Sequence, residues 1–251
     1  MSDFEKFLST RNRNLAAMRS SAAAQRPTLR VENAIGDEAE LYIYDVIDPW
    51  WGVSAEMVRQ ELAAITAPRI AVHINSQGGD VFEAVAIYNL LKSHPANVTT
   101  YNDALAASAA SFIMLAGDHV VSAPHSQWMI HEAWGYAVGN ADDMLKAAEF
   151  LTRQTEVIAG IYAERGEDAA HWLELMKAET WFTADEAVAA GLADEVGGTA
   201  TKVENKFDLS IFRNAPREPS PRAEQHDHKG ALAQESLRFE RERARRHGVA
   251  A

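Results

Sequence analysis

The sequence predicts an α/β protein built on a largely parallel, helix-covered sheet. Two observations point there. Strand-like and helix-like stretches alternate from residue 41 onward, and residues 69–75 form a short apolar run of the kind buried on both faces, followed by a glycine turn and a helical pattern. Such βαβ order brings strands side by side in parallel with helices packed over them. At 251 residues and 47% apolar composition, the chain is long enough for a sizeable core.

Taken in order, residues 41–47 read as a strand, 54–65 as a helix and 69–75 as the buried strand. Residues 81–91 place Val81, Val85, Tyr88 and Leu91 on one helical face, and 97–101 are strand-like again. Residues 104–115 are expected to be a helix of small residues turning apolar, 119–122 and 127–130 short strands, and 142–165 one long helix. The capping box Thr183-Ala-Asp-Glu186 starts a further short helix that stops at Gly191. There is no internal repeat.

Two segments flank this body. Residues 1–33 carry Arg11, Arg13 and Arg19 and a small-residue run but no sustained apolar face, and are expected to be a flexible basic arm. Residues 34–213 form the folded domain, and 214–251, with Pro216, Pro219 and Pro221, a flexible linker and charged tail in which 231–246 has short helical character. The net charge of −12 is unevenly spread: residues 1–30 hold six basic and two acidic residues, 214–251 eight and six, and the stretch between them ten and twenty-eight. So acidic a body repels phosphate backbones, which excludes nucleic acid as a ligand of the folded core. The absence of cysteine excludes thiol catalysis, disulfides and cysteine-bound metal. With no bilayer-length apolar run and no leader pattern, a soluble, unexported protein without membrane contact is expected.

Three places carry chemistry. In INSQGGDV, residues 74–81, two glycines follow a strand end and let bare amides face a cleft, where an amide can donate to a developing oxyanion; the same pattern also suits a plain βα turn. In residues 104–117, Ser108 and Ser111 stand among residues too small to cover a hydroxyl, near a helix start that favours negative charge. Either is a candidate nucleophile, and either could instead bond back to its own helix. His131 closes the strand 127–130 and, titrating near neutrality, can take a serine proton. His73, between Val72 and Ile74, reads as structural; His94, His119, His125 and His171 have no evident partners in sequence, and His226 and His228 fall in the linker. No dense ligand set suggests a catalytic metal.

In this order, the segments SQGGDV, AASAASFIMLAG, QWMIHEAWG and WFTADEAVAAGLAD resemble the Clp peptidase family across roughly residues 40–197. The resemblance implies a Clp/crotonase-like fold with repeated ββα units in a ring-forming oligomer, and a serine-type peptidase that needs no cofactor. Its serine stands nine residues before the glycine of an Ala-Gly pair, which selects Ser108, and its histidine follows Met-Ile, which selects His131, twenty-three residues onward. It further implies an oxyanion hole from the amides of Gly79 and Ala109, and Glu179 as third member of a triad. The family has aspartate at that place and glycine where this chain has Ala104. Among partners it implies a heptameric or stacked homo-oligomeric ring, with the long helix as a contact, and a separate AAA+ unfoldase for any ATP dependence, since the chain has no nucleotide loop of its own.

The stretches IDPWWGVSAE, INSQGGDVFEAVAIYNLL and ETWFTADEA resemble the Clp-like head maturation proteases of phages and prophages, which implies capsid and scaffold precursors as substrates in a host cytoplasm. Three alternatives stay open: a bacterial Clp proteolytic subunit, a crotonase-type enzyme acting on acyl-CoA, and an inactive ring-forming scaffold protein.

Overall fold

A computed structural model describes residues 29–32, 37–198 and 207–216. The chain divides into two compact units, Met1–Ala215 and Pro216–Ala251, of which the first carries the sheet and its helices. The remainder of the expected arm, the linker beyond Pro216 and the charged helix at 231–246 lie outside the described residues.

Strand β1 (Leu29–Glu32) is antiparallel to β2 (Glu38–Ile43), which lies parallel to β3 (Arg69–Ser76), as β3 does to β4 (Asn97–Ala107). Strands β5 (His119–Ser122) and β8 (Glu195–Val196) continue the parallel run, so the main sheet has the order β1-β2-β3-β4-β5-β8. Ile70, Val72 and Ile74 on one face of β3 are fully buried, and Ala71 and Asn75 on the other face are buried as well, as expected of a central strand covered on both faces. The sheet begins inside the segment expected to be an arm: Leu29–Glu32 pair with β2, because a strand edge offers amides and carbonyls that a neighbouring chain can satisfy.

Helix α1 (Ala55–Ala64) starts where Ser54 accepts from the Met57 amide and buries Val58 and Leu62, four apart on one face. Helix α2 (Val81–Lys92) is capped by Asp80, which accepts from the Phe82 and Glu83 amides, and buries Ala84, Ile87, Tyr88 and Leu91.

Strand β4 is the element on which the site depends. Thr99 to Asn102 pair with β5, and Leu105 to Ala107 then pair with β6 (Gln127–Ile130), so the sheet forks along one strand. The expected helix at 104–115 is therefore corrected: β4 continues to Ala107, and the helix, α3, is only Ala109–Met114. Alanines read locally as helix formers, but Ala106 and Ala107 are buried and bonded to β6, and that pairing overrides propensity. Strand β6 pairs antiparallel with β7 (Thr180–Thr183), from Gln127↔Thr183 to Ile130↔Thr180.

Helix α4 (Ala141–Ala163) opens with a capping box between Asn140 and Asp143. Its buried residues, Thr155, Ile158, Ala159, Ile161 and Tyr162, all lie in its second half, while Leu145, Phe150 and Val157 are exposed. Helix α5 (Ala169–Lys177), not foreseen from the sequence, packs on it through Trp172 against Tyr162. Helix α6 (Ala184–Ala189) has the expected Thr183–Glu186 box and ends before Gly191, whose φ of 78° suits glycine. A single 3-10 turn, Leu209–Ile211, brings Phe212 back onto Leu105, Ala107 and Met129. Asn214 and Ala215, expected in the linker, belong to this packed segment. No helix among the described residues is long and apolar enough to cross a membrane.

Candidate active site

Ser108 occupies the single residue between β4 and α3, with φ 53° and ψ −124°, a conformation that side chains rarely adopt. Its surroundings hold it there. The Ser108 amide donates to the Met129 carbonyl at 2.8 Å, and the Ser108 carbonyl accepts from the Ser111 amide at 3.0 Å and from the Ser111 hydroxyl at 2.5 Å. Gly78, at φ 90°, lies so close that a Cβ there would stand 2.6 Å from the Ala107 carbonyl and 2.7 Å from the Ala109 nitrogen. The glycine loop is thus pressed against the turn, and the hydroxyl of Ser108 is left facing a cleft of about 360 Å³. Ser111, the other serine candidate, is fully buried and bonded to Tyr162, so it is closed to any peptide.

The fork in β4 brings the histidine to this hydroxyl. Ala107 is opposite Met129, so Ser108 comes level with Ile130, the residue just before His131. His131 Nε2 stands 2.7 Å from Ser108 Oγ; in the neutral ring with its proton on Nδ1, the hydroxyl donates to Nε2. Burial pushes the His131 pKa down to about 4, against a smaller opposing influence from the Glu179 charge. The ring keeps one side to the cleft, and Phe212 meets it edge to face at 5.6 Å between centroids. His131 is consequently uncharged at neutral pH, the state required of a general base.

Glu179 sits where the β6–β7 register, continued one step past Ile130↔Thr180, sets a residue opposite His131. Its carboxylate is engaged elsewhere: the Arg213 amide donates to Oε2 at 2.9 Å and the Asn214 amide to Oε1. No hydrogen bond joins it to His131 among the described residues. The Glu179 backbone has φ 51°, and the Asn214 side-chain amide donates to the carbonyls of Ala178, at 2.8 Å, and Glu179, at 3.2 Å.

Gly79 and Ala109 both line the cleft beside Ser108. Gly79 is bridged to Ile47 and has φ 153°; a Cβ would fall 2.0 Å from the Ile47 carbonyl. The flanking groups are paired, Ile47 N–H to the Gly78 carbonyl and Asp80 N–H to the Ile47 carbonyl, whereas the Gly79 amide has no acceptor among the described residues. The Ala109 amide, first in α3, has no intrahelical acceptor either. Both amides thus belong to residues that line the cleft beside Ser108, and neither has an acceptor among the described residues. Phe112, Ile158 and Tyr162 also line the cleft, and Trp50, Trp51, Trp134 and Tyr136 are its exposed aromatic members.

Three other histidines have structural partners. His73 stacks between Tyr42 and Tyr101 and is bonded to Asp103 at 2.9 Å; His119 meets Asp194 and Glu195; His94 accepts from the Ala96 amide. Among the described residues no group of three or more His, Asp or Glu side chains could hold a metal ion. His226 and His228 lie outside the described residues. What sequence reading missed is the role of 207–216, whose Phe207, Leu209, Ile211 and Phe212, just ahead of Pro216, were the available sign of an anchored segment.

Comparison with known proteins assigns the chain to a family. The family model described as Clp protease matches residues 31–200. The ATP-dependent Clp protease proteolytic subunit 1 of Protochlamydia amoebophila is 32% identical over 194 residues, covering 74% of this chain and 93% of that protein. Subunit 3 of Rhodococcus jostii is 36% identical over 173 residues, covering 65% and 81%. Among solved structures, a point mutant of ClpP1 from Listeria monocytogenes matches with a TM-score of 0.57 at 26% identity, over 64% of this chain and 91% of that one.

Proposed function

The chain belongs to the Clp protease family and is a serine-type peptidase, and from that premise we propose that Ser108 is its nucleophile, His131 its general base and Glu179 the third member of the triad. The observation that carries this reading is the 2.7 Å contact of Ser108 Oγ with His131 Nε2 at the mouth of the cleft. Ser108 attacks the peptide carbonyl carbon while its proton passes to His131 Nε2. The resulting oxyanion is received by the amides of Gly79 and Ala109, a donor being worth about 3–4 kcal/mol of barrier in such a site. Collapse breaks the C–N bond, the leaving amine takes the proton from His131, and water activated by the same imidazole releases the acyl group. Glu179 stabilises the imidazolium formed on the way. A crotonase-type reading gives no role to this serine–histidine contact.

The aromatic and apolar lining suits an extended peptide carrying a large apolar side chain next to the cleaved bond. At the level of substrate, the reading is a head maturation protease cutting scaffold and capsid precursors, supported by the resemblance of IDPWWGVSAE and ETWFTADEA. A second reading, a proteolytic subunit fed by an ATP-dependent unfoldase, is favoured by the names of the relatives. In either case the subunits assemble in rings, to which the exposed Leu145, Phe150 and Val157 of α4 contribute a contact.

A fluorophosphonate probe tests the chemistry: the adduct maps to Ser108 and is lost in Ser108→Ala, whereas an unlabelled protein ends the peptidase reading of this site. Co-expression with a capsid precursor, and separately with an unfoldase and ATP, tests the substrate; processing in only one arrangement decides between the two.

A further inference from the structure

Residues 207–216 lie past the end of the family match at residue 200, yet three consecutive members of the segment touch the site. Phe212 is 7% exposed and packs edge to face on both His131 and Trp181, at 5.6 and 6.0 Å between centroids. The Arg213 and Asn214 amides donate to the two oxygens of Glu179, and the Asn214 side chain grips the carbonyls of Ala178 and Glu179. The segment itself is anchored by packing of Phe207, Leu209 and Ile211 around Leu105, Ala107 and Met129, on β4 and β6.

We propose that residues 212–214 are a positioning strap for the catalytic machinery, Phe212 fixing the plane of the His131 ring and the two following amides fixing the place of the Glu179 carboxylate. This rests on the Ser108–His131 reading above.

The physical reason lies in the acid. A glutamate has one more rotatable bond than the aspartate expected at that place, so its carboxylate sweeps a larger volume. Two amide donors at the fixed spacing of consecutive residues remove that freedom, and hydrogen bonds to an ionised acceptor are the strong kind. Glu179 also needs support in its backbone, since φ 51° is unfavourable for any residue with a Cβ. The Asn214 side chain supplies it by bridging the carbonyls on either side of that turn. A carboxylate held by two amides retains lone pairs for the Nδ1 proton of His131, so the strap orients the acid without occupying it fully. Phe212 completes the arrangement from the other side: a ring packed against a ring edge leaves the imidazole little room to turn away from Ser108.

The test uses the full chain with Phe212→Ala, Phe212→Tyr and Arg213→Pro, the last deleting one amide donor while its predecessor already has an extended backbone that tolerates proline (Phe212, φ −93°, ψ 142°). Each is measured for kcat and KM on a fluorogenic peptide and for the rate of fluorophosphonate labelling at Ser108. Positioning predicts that Phe212→Ala and Arg213→Pro lower kcat by about tenfold to a hundredfold with KM changed little. Labelling slows in step, and Phe212→Tyr recovers most of the loss. Unchanged kcat in folded Phe212→Ala overturns the proposal, and a rise in kcat overturns it in favour of an inhibitory clamp. Should Arg213→Pro fail to fold by circular dichroism, the Phe212 pair decides alone. If the wild-type chain does not label at Ser108, the peptidase assignment fails instead, so the two failures are distinguishable.

Discussion

The Ser111 hydroxyl lies 2.6 Å from the Tyr162 phenol and 2.5 Å from the Ser108 carbonyl, so a buried relay runs from helix α4 to the backbone of the nucleophile. With Ser111 donating to the carbonyl, Tyr162 donates to Ser111. The strained turn at Ser108 is thus fastened from outside its own strand and helix.

Ser111→Ala leaves the Tyr162 hydroxyl, which is wholly enclosed, without its acceptor. The expected loss is about 1–3 kcal/mol in denaturant unfolding. Tyr162→Phe removes the donor but leaves Ser111 bonded to Ser108, and loses about 1 kcal/mol. Equal losses in the two variants would contradict the direction assigned to the relay.

Replacing Ser108 separates strain from chemistry. Ser108→Ala and Ser108→Gly both abolish hydrolysis, yet only glycine is at ease at φ 53°, ψ −124°. Strain of this sort costs about 1–3 kcal/mol, partly offset by the greater freedom of glycine when unfolded. Ser108→Gly is therefore expected to be more stable than Ser108→Ala by about 1 kcal/mol, measured by thermal or denaturant unfolding.

The acidity of His131 sets the lower pH limit of catalysis. Burial lowers its pKa to about 4, so kcat/KM falls when pH drops toward that value, not near the ordinary histidine pKa of 6.5. The Glu179 charge acts the other way, raising the imidazole pKa. Glu179→Gln should then shift the acid limb to still lower pH while lowering kcat, because the imidazolium formed during attack loses its counter-charge. An acid limb that stays in place would mean that Glu179 and His131 do not interact.

Gly79→Ala combines a left-handed backbone with a Cβ 2.0 Å from the Ile47 carbonyl. The loop must move, at a cost above about 1 kcal/mol, and the oxyanion donor moves with it. A stability measurement together with kcat should show both effects; wild-type kcat would exclude the Gly79 amide from catalysis.

Much of this site was legible because its chemistry sits in short local patterns. Ser108, His131 and the glycine pair are each marked by their immediate neighbours, and the structure places Ser108, His131 and Gly79 around one cleft. The exchange of strand for helix at 104–107 was not legible, since alanines carry the same local preference whether or not β6 lies beside them; only the long-range pairing Leu105↔Gln127 to Ala107↔Met129 decides it. The strap was hidden for a similar reason. Its contacts with Glu179 cross 34 and 35 positions and are made by backbone amides, which no side-chain pattern announces.

The divided pairing of β4 leaves a seam in the molecule. Strand pairing of β4 with β6 is limited to Leu105, Ala106 and Ala107, with the Ser108 amide adding one bond to Met129, whereas β3 and β4 match from Arg69↔Asn97 to Ser76↔Ala106. So few rungs can part without the body unfolding, and in hydrogen exchange the amides of β6 and β7 should lose protection before those of β3. Ser108 rides on the body and His131 on the flap, which makes the distance between them a gauge of whether the seam is shut.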